Sequence, residues 1–262
     1  YTDPNKSYLT YYNIQYSDGY SNDTIRSYLP KSLIKVTVNN DNTIQSLAFY
    51  GARFIQTIVI GPKTTTINNM VFYGCDNLTN LTVPFIGTTK SGSGANGLIG
   101  PWFQHLYDPY AGNGDHYTTH PFVVQKYSQT NQVSYRIPTT LKHLSVTNAT
   151  KLSYGALYNV SSIISLDLSE TLTTIDSYAL YNTGVKQLSI PSSVTTINSY
   201  AATNMSNLVD LEINSSIVGA YMFENAYSLK NIDFNGSNLV INSYAFNNCY
   251  SINTIILGKN VS

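Results

Sequence analysis

The sequence is poor in charged residues. Asp, Glu, Lys and Arg make up 11% of its 262 residues, where soluble domains average about 25%. The 14 basic residues balance the 14 acidic ones, whereas binding to nucleic acid or to an anionic membrane needs a basic excess. We therefore expect no nucleic-acid partner and no membrane insertion. Ser, Thr, Asn and 23 Tyr stand in place of charge, a composition common among extracellular proteins that contact glycans or other proteins.

The sequence is equally poor in cysteine. Cys75 and Cys249 are the only two, too few for a disulfide framework. No signal peptide, transmembrane run or lipidation motif is visible. We expect the chain to be a piece cut from a longer protein, because it begins inside a partial module and stops where another repeat is due. The missing targeting signals therefore say little about location.

What the sequence does contain is a repeat of 21 to 23 residues, interrupted once by a step of 63. Its mark is an apolar-x-apolar pair, preceded three residues earlier by another apolar residue. The pairs are Val36/Val38, Ile58/Ile60, Leu81/Val83, Leu144/Val146, Leu166/Leu168, Leu188/Ile190, Leu211/Ile213, Ile232/Phe234 and Ile255/Leu257. Alternation at period two is typical of a half-buried strand. The nine strands, one per period, are predicted to lie side by side in parallel.

A second block completes each repeat: an apolar residue, then a small-plus-large apolar pair, as in Ile241, Ala245 and Phe246. Three residues later comes a small or apolar residue, at two places Cys75 and Cys249. One coil cannot bury its apolar face alone, so the coils must stack into one continuous core. Six strand steps separate the two cysteines, about 29 Å, which excludes a disulfide between them. Both thiols are predicted to be buried core residues.

Tyrosines fall into two columns of the repeat. The columns are Tyr178, Tyr200, Tyr221 and Tyr244, and Tyr50, Tyr73, Tyr158 and Tyr181. Neighbours in a column lie about one strand spacing apart, roughly 4.8 Å, close enough for offset stacking. Either these ladders stiffen the outside of the solenoid, or they form an aromatic binding strip.

Aligned on these columns, one coil reads Leu-x-x-Leu-x-Ile-Pro-x-x-Val-x-x-Ile-x-x-x-Ala-Phe-x-x-Cys, most clearly from Val185 to Tyr200. This resembles the BspA-like leucine-rich repeats, the Treponema pallidum class, of bacterial surface proteins, over residues 33–85 and 141–262. The resemblance implies a leucine-rich-repeat solenoid of about nine coils. It would be mostly β, with one parallel sheet on its concave face and short strands, turns and 3-10 pieces on its convex side. It also implies a structural role for the Cys column.

The step of 63 marks an inserted module, residues 86–138, ending in a predicted β-hairpin. Pro30 and Pro138 follow similar segments at an offset of 108, so residues 1–30 are predicted to be the end of another such module. The expected organisation is one solenoid over 1–262, with repeat blocks at 31–85 and 139–262. Insertions opening like Pro84–Gly87 occur in BspA-like proteins of gut Firmicutes, which this chain resembles.

Motifs for catalysis or cofactors are weak. Gly92–Gly97 matches G-x-G-x-x-G by letter, but no helix pattern follows it, so a flexible loop is expected. The inserted module contains four residues that could bind a metal, but they lack the paired spacing that is typical of zinc ligands. They are His105, Asp115, His116 and His120. No serine sits in a nucleophile elbow. We expect no enzyme activity, no cofactor and no metal, and a monomer.

Two groups of residues are candidate binding sites. On the outward face of the predicted sheet lie four carboxylates: Asp167, Asp210, Glu212 and Asp233. Like charges on adjacent strands repel unless a cation or basic partner compensates, although Lys186 and Lys230 could moderate a simply solvated face. In the insertion lie five aromatic residues: Trp102, Phe103, Tyr107, Tyr110 and Tyr117. They form either a platform for sugar rings or a small core under the hairpin.

Three functions stay open at this point. The first is an extracellular or cell-surface adhesion module that recognises host or matrix protein, which the resemblance and the long concave surface of solenoids favour. The second is binding of mucin or cell-wall glycan through the aromatic insertion. The third is a structural spacer that displays another domain. A glycan array and a panel of protein ligands would separate them.

Overall fold

A computed structural model describes residues 8–10, 14–17, 22–25, 28–105 and 120–258, and the side chains of 30–103 and 120–258. Within these ranges the chain forms 23 short strands and two 3-10 helices, Gly94–Gly97 and Gly100–Trp102. The strands of the first half are Tyr8–Thr10 (β1), Ile14–Ser17 (β2), Asn22–Ile25 (β3), Tyr28–Pro30 (β4), Lys35–Val38 (β5), Thr43–Ile44 (β6), Thr57–Ile60 (β7), Thr66–Ile67 (β8), Asn80–Val83 (β9), Gln104–His105 (β10), Phe122–Lys126 (β11) and Gln132–Arg136 (β12). Those of the second half are His143–Val146 (β13), Lys151–Leu152 (β14), Ser165–Asp167 (β15), Thr174–Ile175 (β16), Gln187–Ile190 (β17), Thr196–Ile197 (β18), Asp210–Ile213 (β19), Ile217–Val218 (β20), Asn231–Phe234 (β21), Val240–Ile241 (β22) and Thr254–Leu257 (β23).

The nine apolar-x-apolar pairs form nine parallel strands on one face. β5, β7, β9, β13 and β15 make a five-stranded sheet, and β17, β19, β21 and β23 a four-stranded one. The register aligns equivalent residues, for example Leu211 with Ile232. Most paired residues are buried and the residue between them faces solvent. The predicted solenoid of about nine coils is confirmed.

The predicted single sheet is divided between β15 and β17. In the turn before β17, one residue separates Thr183 from Val185, whereas in the preceding coil two residues separate Val160 from Ile163. Gly184 fits this tighter turn, because a Cβ there would lie 2.1 Å from a backbone oxygen of the coil before. The shorter turn leaves β17 outside the ladder of β15.

The convex side is built from shorter ladders. Two-residue parallel strands pair as β6–β8, β14–β16–β18 and β20–β22. Beyond them, the large member of each small-plus-large pair donates its N–H to the small member of the next coil, as Leu180 does to Ala201 and Phe223 to Ala245, both at 2.8 Å. Every coil is thus bonded to the next on both faces, and the side chains between form one core.

The inserted module does not interrupt this stack. β9 pairs directly with β13, so the chain returns to the adjacent strand position after its excursion. The first part of the insertion supplies the convex half of the third coil. There the backbone oxygen of Trp102 accepts the N–H of Phe72 at 2.8 Å, so Trp102 and Phe103 occupy the repeat position of the small-plus-large pair.

The predicted hairpin is formed by β11 and β12, with β10 on the other side of β12. It packs closely on the solenoid. Gln125 is fully buried, accepting the N–H of Gly100 at 2.9 Å and donating to the carbonyl of Tyr158 at 3.3 Å. Gly155 has a left-handed φ of 64° and lies so near the Lys126 carbonyl that a Cβ would be 1.8 Å from its oxygen.

The backbone of the first thirty residues has a related pairing. β1 is antiparallel to β4, and β2 to β3, while in the insertion β12 is antiparallel to both β10 and β11. The module boundaries drawn from the sequence at 1–30, 31–85, 86–138 and 139–262 stay predictions.

Candidate functional site

A groove of about 450 Å³ runs across the outward face of the sheet, from β15 to β23. Its floor is formed by the strands themselves. All four predicted carboxylates line it. The residues around it are Ser165, Leu166, Asp167, Gln187, Leu188, Ser189, Asp210, Leu211, Glu212, Asn231, Ile232, Asp233 and Ile256. The acidic patch is therefore a single continuous surface rather than scattered charges.

Strand register sets the order of the carboxylates. Glu212 lies directly opposite Asp233, and on its other side opposite Ser189 of β17. Asp167 ends β15, one strand further along the same row. Asp210 lies two residues before Glu212, in the neighbouring row that faces the same way. Glu212 and Asp233 thus stand about one strand spacing apart, roughly 4.8 Å, where two negative charges repel.

Amide side chains hold Asp210 in its charged form. Asn231 donates to one carboxylate oxygen at 2.6 Å and Gln187 to the other at 3.0 Å. These two hydrogen bonds, with a smaller contribution from the charge of Lys230, lower the pKa of Asp210. Asp210 is therefore a fixed negative charge at the edge of the groove.

The Glu212–Asp233 pair is less fully compensated. Glu212 accepts one hydrogen bond from Asn235 at 3.3 Å. The Oδ1 atom of Asp233 is withdrawn from solvent and has no hydrogen-bond partner among the described residues. In this part of the chain, ion pairs within 4.0 Å join Lys151 to Asp176 and His120 to Asp76, so Lys186 and Lys230 neutralise neither groove carboxylate directly. The groove presents acceptor capacity that the protein leaves unused.

Two interpretations of the aromatic residues in the insertion were open, a platform for sugar rings and a small core, and the platform is wrong for Trp102 and Phe103. Trp102 is 0% exposed and Phe103 1%, because both fill the core of the third coil. Phe72 packs against both, with ring centroids 6.0 Å and 5.8 Å away, and Trp102 donates its Nε1–H to the Gly87 carbonyl at 3.1 Å. Neither ring can stack on a sugar. Tyr107, Tyr110 and Tyr117 lie outside the described residues.

Among the metal-ligand candidates, the structure describes the side chain of His120 alone. Its Nδ1 accepts the backbone N–H of Thr139 at 3.2 Å, which places the ring proton on Nε2, facing Asp76 at 3.9 Å. His120 thus contacts Thr139 of the second repeat block and faces Asp76 of the first, which fits a docking role between module and repeat. The side chains of His105, Asp115 and His116 lie outside the described residues. No group of three or more potential metal ligands occurs in the part that is described.

The two cysteines occupy equivalent places, and both are free thiols. Cys75 donates to the carbonyl of Phe49 and Cys249 to that of Phe223, each at 3.1 Å. Burial raises the pKa of both thiols, that of Cys249 to about 11. Cys75 is fully buried as predicted, whereas Cys249 is only half-buried. Thiols that stay protonated and hydrogen-bonded to the backbone are unreactive core residues.

The tyrosine column from Tyr178 to Tyr244 forms a stacked ladder, whereas in the other column Tyr158 stacks on Tyr181 and Tyr50 meets Tyr73 edge-on. Ring centroids lie 5.6 Å apart from Tyr178 to Tyr200, 4.7 Å from Tyr200 to Tyr221 and 4.9 Å from Tyr221 to Tyr244. Because each inner ring has a neighbour on both faces, only ring edges meet solvent, which disfavours a sugar-stacking strip. Each of the four has a left-handed backbone, with φ between 53° and 65°. Sequence reasoning missed this strain, because Tyr is uncommon in that region.

An asparagine ladder, also missed, runs beside the tyrosines. Asn182 donates to Asn159 at 3.0 Å, Asn225 to Asn204 at 2.7 Å and Asn248 to Asn225 at 2.8 Å. All five have a positive φ, which Asn tolerates better than most residues. The signal was present as an Asn at one repeat position in five coils. These side chains bond one another and leave little for a partner.

The fold and the groove define a leucine-rich-repeat solenoid with a polar concave surface, a class that binds other macromolecules. A family model described as BspA type leucine rich repeat region matches residues 26–95 and 130–262, in six copies. The chain belongs to the BspA-type leucine-rich repeat family. No curated protein matches the sequence.

Similar solved structures include two bacterial leucine-rich-repeat proteins and a pneumococcal antigen. One from Eubacterium ventriosum is 14% identical with a TM-score of 0.41, covering 86% of this chain and 66% of its own. The T. pallidum leucine-rich-repeat protein is 14% identical with a TM-score of 0.43, covering 86% and 80%. The pneumococcal vaccine antigen PcpA is 16% identical with a TM-score of 0.44, covering 86% and 63%. The chain thus spans just under two thirds of the first and third of these proteins.

The described part of the chain contains no helix long and apolar enough to cross a bilayer. Its repeats are those of a protein-binding module.

Proposed function

We propose that this chain is a cell-surface adhesion module, outside the cell, that binds a host or matrix protein in its acidic concave groove. The observation that supports this most strongly is the convergence of all four predicted carboxylates on one groove. The partner would place basic side chains along the row of Asp167, Glu212 and Asp233. An Arg or Lys side chain of the partner would compensate the adjacent negative charges of Glu212 and Asp233.

Irregularity along this row also supports a specific partner. From β15 to β23 the outward residues are Asp167, Ser189, Glu212, Asp233 and Ile256. A purely structural column would repeat one residue type, as the tyrosine and asparagine columns do. A row that combines charged, hydroxyl and apolar side chains can instead be complementary to one particular partner.

The test is binding of the purified chain to a panel of extracellular-matrix proteins, with an oligo-lysine peptide as a defined cationic probe. The variant Glu212→Gln with Asp233→Asn removes the central pair of charges. Its matched control is Asp41→Asn with Glu170→Gln, which makes the same change of net charge at exposed positions outside the groove lining. We expect the groove variant to lose binding at least tenfold and the control to keep it. Equal losses in both variants would reduce the interaction to net charge and end the proposal.

Glycan binding by the insertion is the alternative, and two of its five residues are now known to be buried. A glycan array tests what remains of it. Binding to mucin or cell-wall glycans that survives the groove variant would favour this alternative. Failure of the intact chain to bind either panel would favour a structural spacer.

A further inference from the structure

A row of lysines runs along the edge of the concave sheet where the strands begin, beside the acidic groove but distinct from it. We call it the lysine rim, consisting of Lys142, Ile164, Lys186, Val209 and Lys230. These residues occupy one repeat column, immediately before strands β13, β15, β17, β19 and β21. Cationic and apolar residues alternate along it, so that every second coil presents an ammonium group.

Backbone hydrogen bonds fix the rim in register. Ile164 donates its N–H to the carbonyl of Lys142 at 2.9 Å, Lys186 to Ile164 at 3.3 Å, Val209 to Lys186 at 2.8 Å and Lys230 to Val209 at 2.9 Å. In three of these steps the same carbonyl also accepts the next N–H along the chain, as Lys142 does from Ser165 at 3.1 Å. Apart from the step between β15 and β17, where the sheet is divided, each coil repeats the same hydrogen bonds, and the five residues follow one another along the solenoid.

The lysines are available to a ligand. Lys186 and Lys230 are exposed and Lys142 is half-buried. Among the described residues, none of the three lysines lies within 4.0 Å of a carboxylate. The ion pairs there join Lys151 to Asp176 and His120 to Asp76. Between the lysines, Ile164 is 37% exposed and Val209 is half-buried, so the rim also offers apolar contacts.

The spacing of the charges selects the shape of the ligand. Lys142 and Lys230 are four strand steps apart, about 19 Å at roughly 4.8 Å per step. A polyproline II helix advances about 3.1 Å per residue, so six residues also span about 19 Å. Carboxylates at every third residue of such a segment would match all three lysines. A β-strand with carboxylates at every second residue would span only about 13 Å over three charges.

We propose that the lysine rim is a second binding site, for an acidic peptide segment in the polyproline II conformation with a carboxylate at every third residue. The intervening residues of the segment would lie against Ile164 and Val209, which suits proline. A polysaccharide would instead press hydroxyl groups against these apolar side chains, at a desolvation cost. A nucleic acid needs a basic excess that the balanced charge of this chain does not supply. The rim is separate from the groove lining, although Lys230 lies near enough to Asp210 for its charge to act on that carboxylate.

The experiment uses a labelled peptide with Glu-Pro-Pro repeated three times and fluorescence anisotropy at low ionic strength, where exposed ion pairs are least screened. The rim variant changes Lys142, Lys186 and Lys230 to Gln. The matched control changes Lys35, Lys63 and Lys126 to Gln, so that net charge falls equally. We expect the rim variant to bind about tenfold more weakly and the control to be unchanged.

A second arm needs no variant and so does not depend on folding of one. A peptide with Glu-Pro repeated three times has the same charge at the shorter spacing, and we expect the native chain to bind it several-fold more weakly. Equal binding of the two peptides, or equal losses in the rim and control variants, would overturn the proposal. So would a sulfated polysaccharide that displaces the peptide from the native chain at lower concentration, because the rim would then be a glycan site.

Discussion

The convex and concave faces of this solenoid have the same repeat period, but their polar side chains are hydrogen-bonded to different extents. On the convex side, the ring of Tyr200 stacks on Tyr221 at 4.7 Å and the amide of Asn225 bonds Asn204 at 2.7 Å. Each group is satisfied by its own equivalent in the next coil. On the concave side, Glu212 and Asp233 stand side by side with too few donors between them.

The difference shows where recognition can occur in a repeat protein. A column that repeats one residue type satisfies itself and stabilises the stack, leaving little unused hydrogen-bonding capacity. A column whose residue type changes from coil to coil cannot satisfy itself, and its groups stay available to a partner. By this criterion, the acidic groove and the lysine rim are the proposed binding surfaces, and the tyrosine and asparagine ladders stabilise the stack.

The largest effect is expected where the insertion enters the core. Trp102→Ala removes a fully buried indole from the third coil, and such truncations cost about 3–5 kcal/mol. The free energy of unfolding in urea measures it. Tyr250→Ala, at an 80% exposed position, is the control and should cost less than about 0.5 kcal/mol. Similar small losses in both variants would show that the insertion is not part of the solenoid core.

In the tyrosine ladder we expect a smaller effect on stability, and Gly is expected to be a less destabilising substitution than Ala. Tyr200→Ala and Tyr200→Gly both remove stacking contacts worth about 0.5–1.5 kcal/mol each. Because φ at this residue is 65°, Gly also relieves a left-handed strain of about 1–2 kcal/mol. The Gly variant should therefore be the more stable of the two by about 1 kcal/mol in urea unfolding.

Tyr181 is the matched control for this comparison. It stacks on Tyr158 at 4.4 Å but is not among the residues with a positive φ. There the usual order should return, with Ala more stable than Gly. If Gly is the less stable substitution at both positions, the strain assigned to the ladder is wrong.

Acid titration separates the hydrogen-bonded carboxylate of the groove edge from an ordinary exposed one. The pKa of Asp210 is lowered, so its ionised form stabilises the folded state above the unfolded pKa, about 3.9, and this contribution is lost as pH falls through the folded pKa. Asn231→Ala removes the main donor and should raise the pKa of Asp210. Carbon-detected NMR titration of the carboxyl group measures it, and an unchanged pKa would contradict the role of the amides.

Thiol reactivity gives the smallest and simplest test. With the pKa of Cys249 raised to about 11 and that of Cys75 raised by complete burial, both thiols should react slowly with iodoacetamide at pH 8. Half-exposed Cys249 should still react before Cys75. Mass spectrometry of the folded chain at successive times measures the rate at which each cysteine is alkylated, and the unfolded chain provides the reference rate. Faster labelling of Cys75 would show that its coil opens.

Most of the fold could be predicted because burial imposes a period. The apolar pairs at β5 to β23 mark residues that must face the core, so strand positions followed directly from the sequence. The groove carboxylates could be predicted for the same reason, since the residue between two inward side chains must point outward. The side chains that complete the groove, Gln187 and Asn231, follow only once the register of the strands is known.

What could not be predicted depends on breaks in that period. Trp102 lies 19 residues after the end of β9, whereas the equivalent Val71 lies 11 residues after the end of β7. Because the two spacings differ, the sequence did not reveal that these residues are equivalent. The division of the sheet at β17 depends on one missing residue near Gly184. The left-handed backbone at Tyr178 to Tyr244 runs against the preference of Tyr, and only stacking between coils explains it.

Filling the concave groove with a large side chain shows whether the partner binds there. Ser189 lies in the same row as Glu212 and directly opposite it, so Ser189→Arg would occupy the groove and offset one of its four negative charges. Ser199→Arg adds the same side chain at an exposed convex position. Binding to the matrix protein or oligo-lysine probe that the native chain prefers is then measured by biolayer interferometry. We predict that Ser189→Arg abolishes binding while Ser199→Arg preserves it. Binding that survives Ser189→Arg and disappears with Ser199→Arg would show that the partner binds the convex side and not the concave groove.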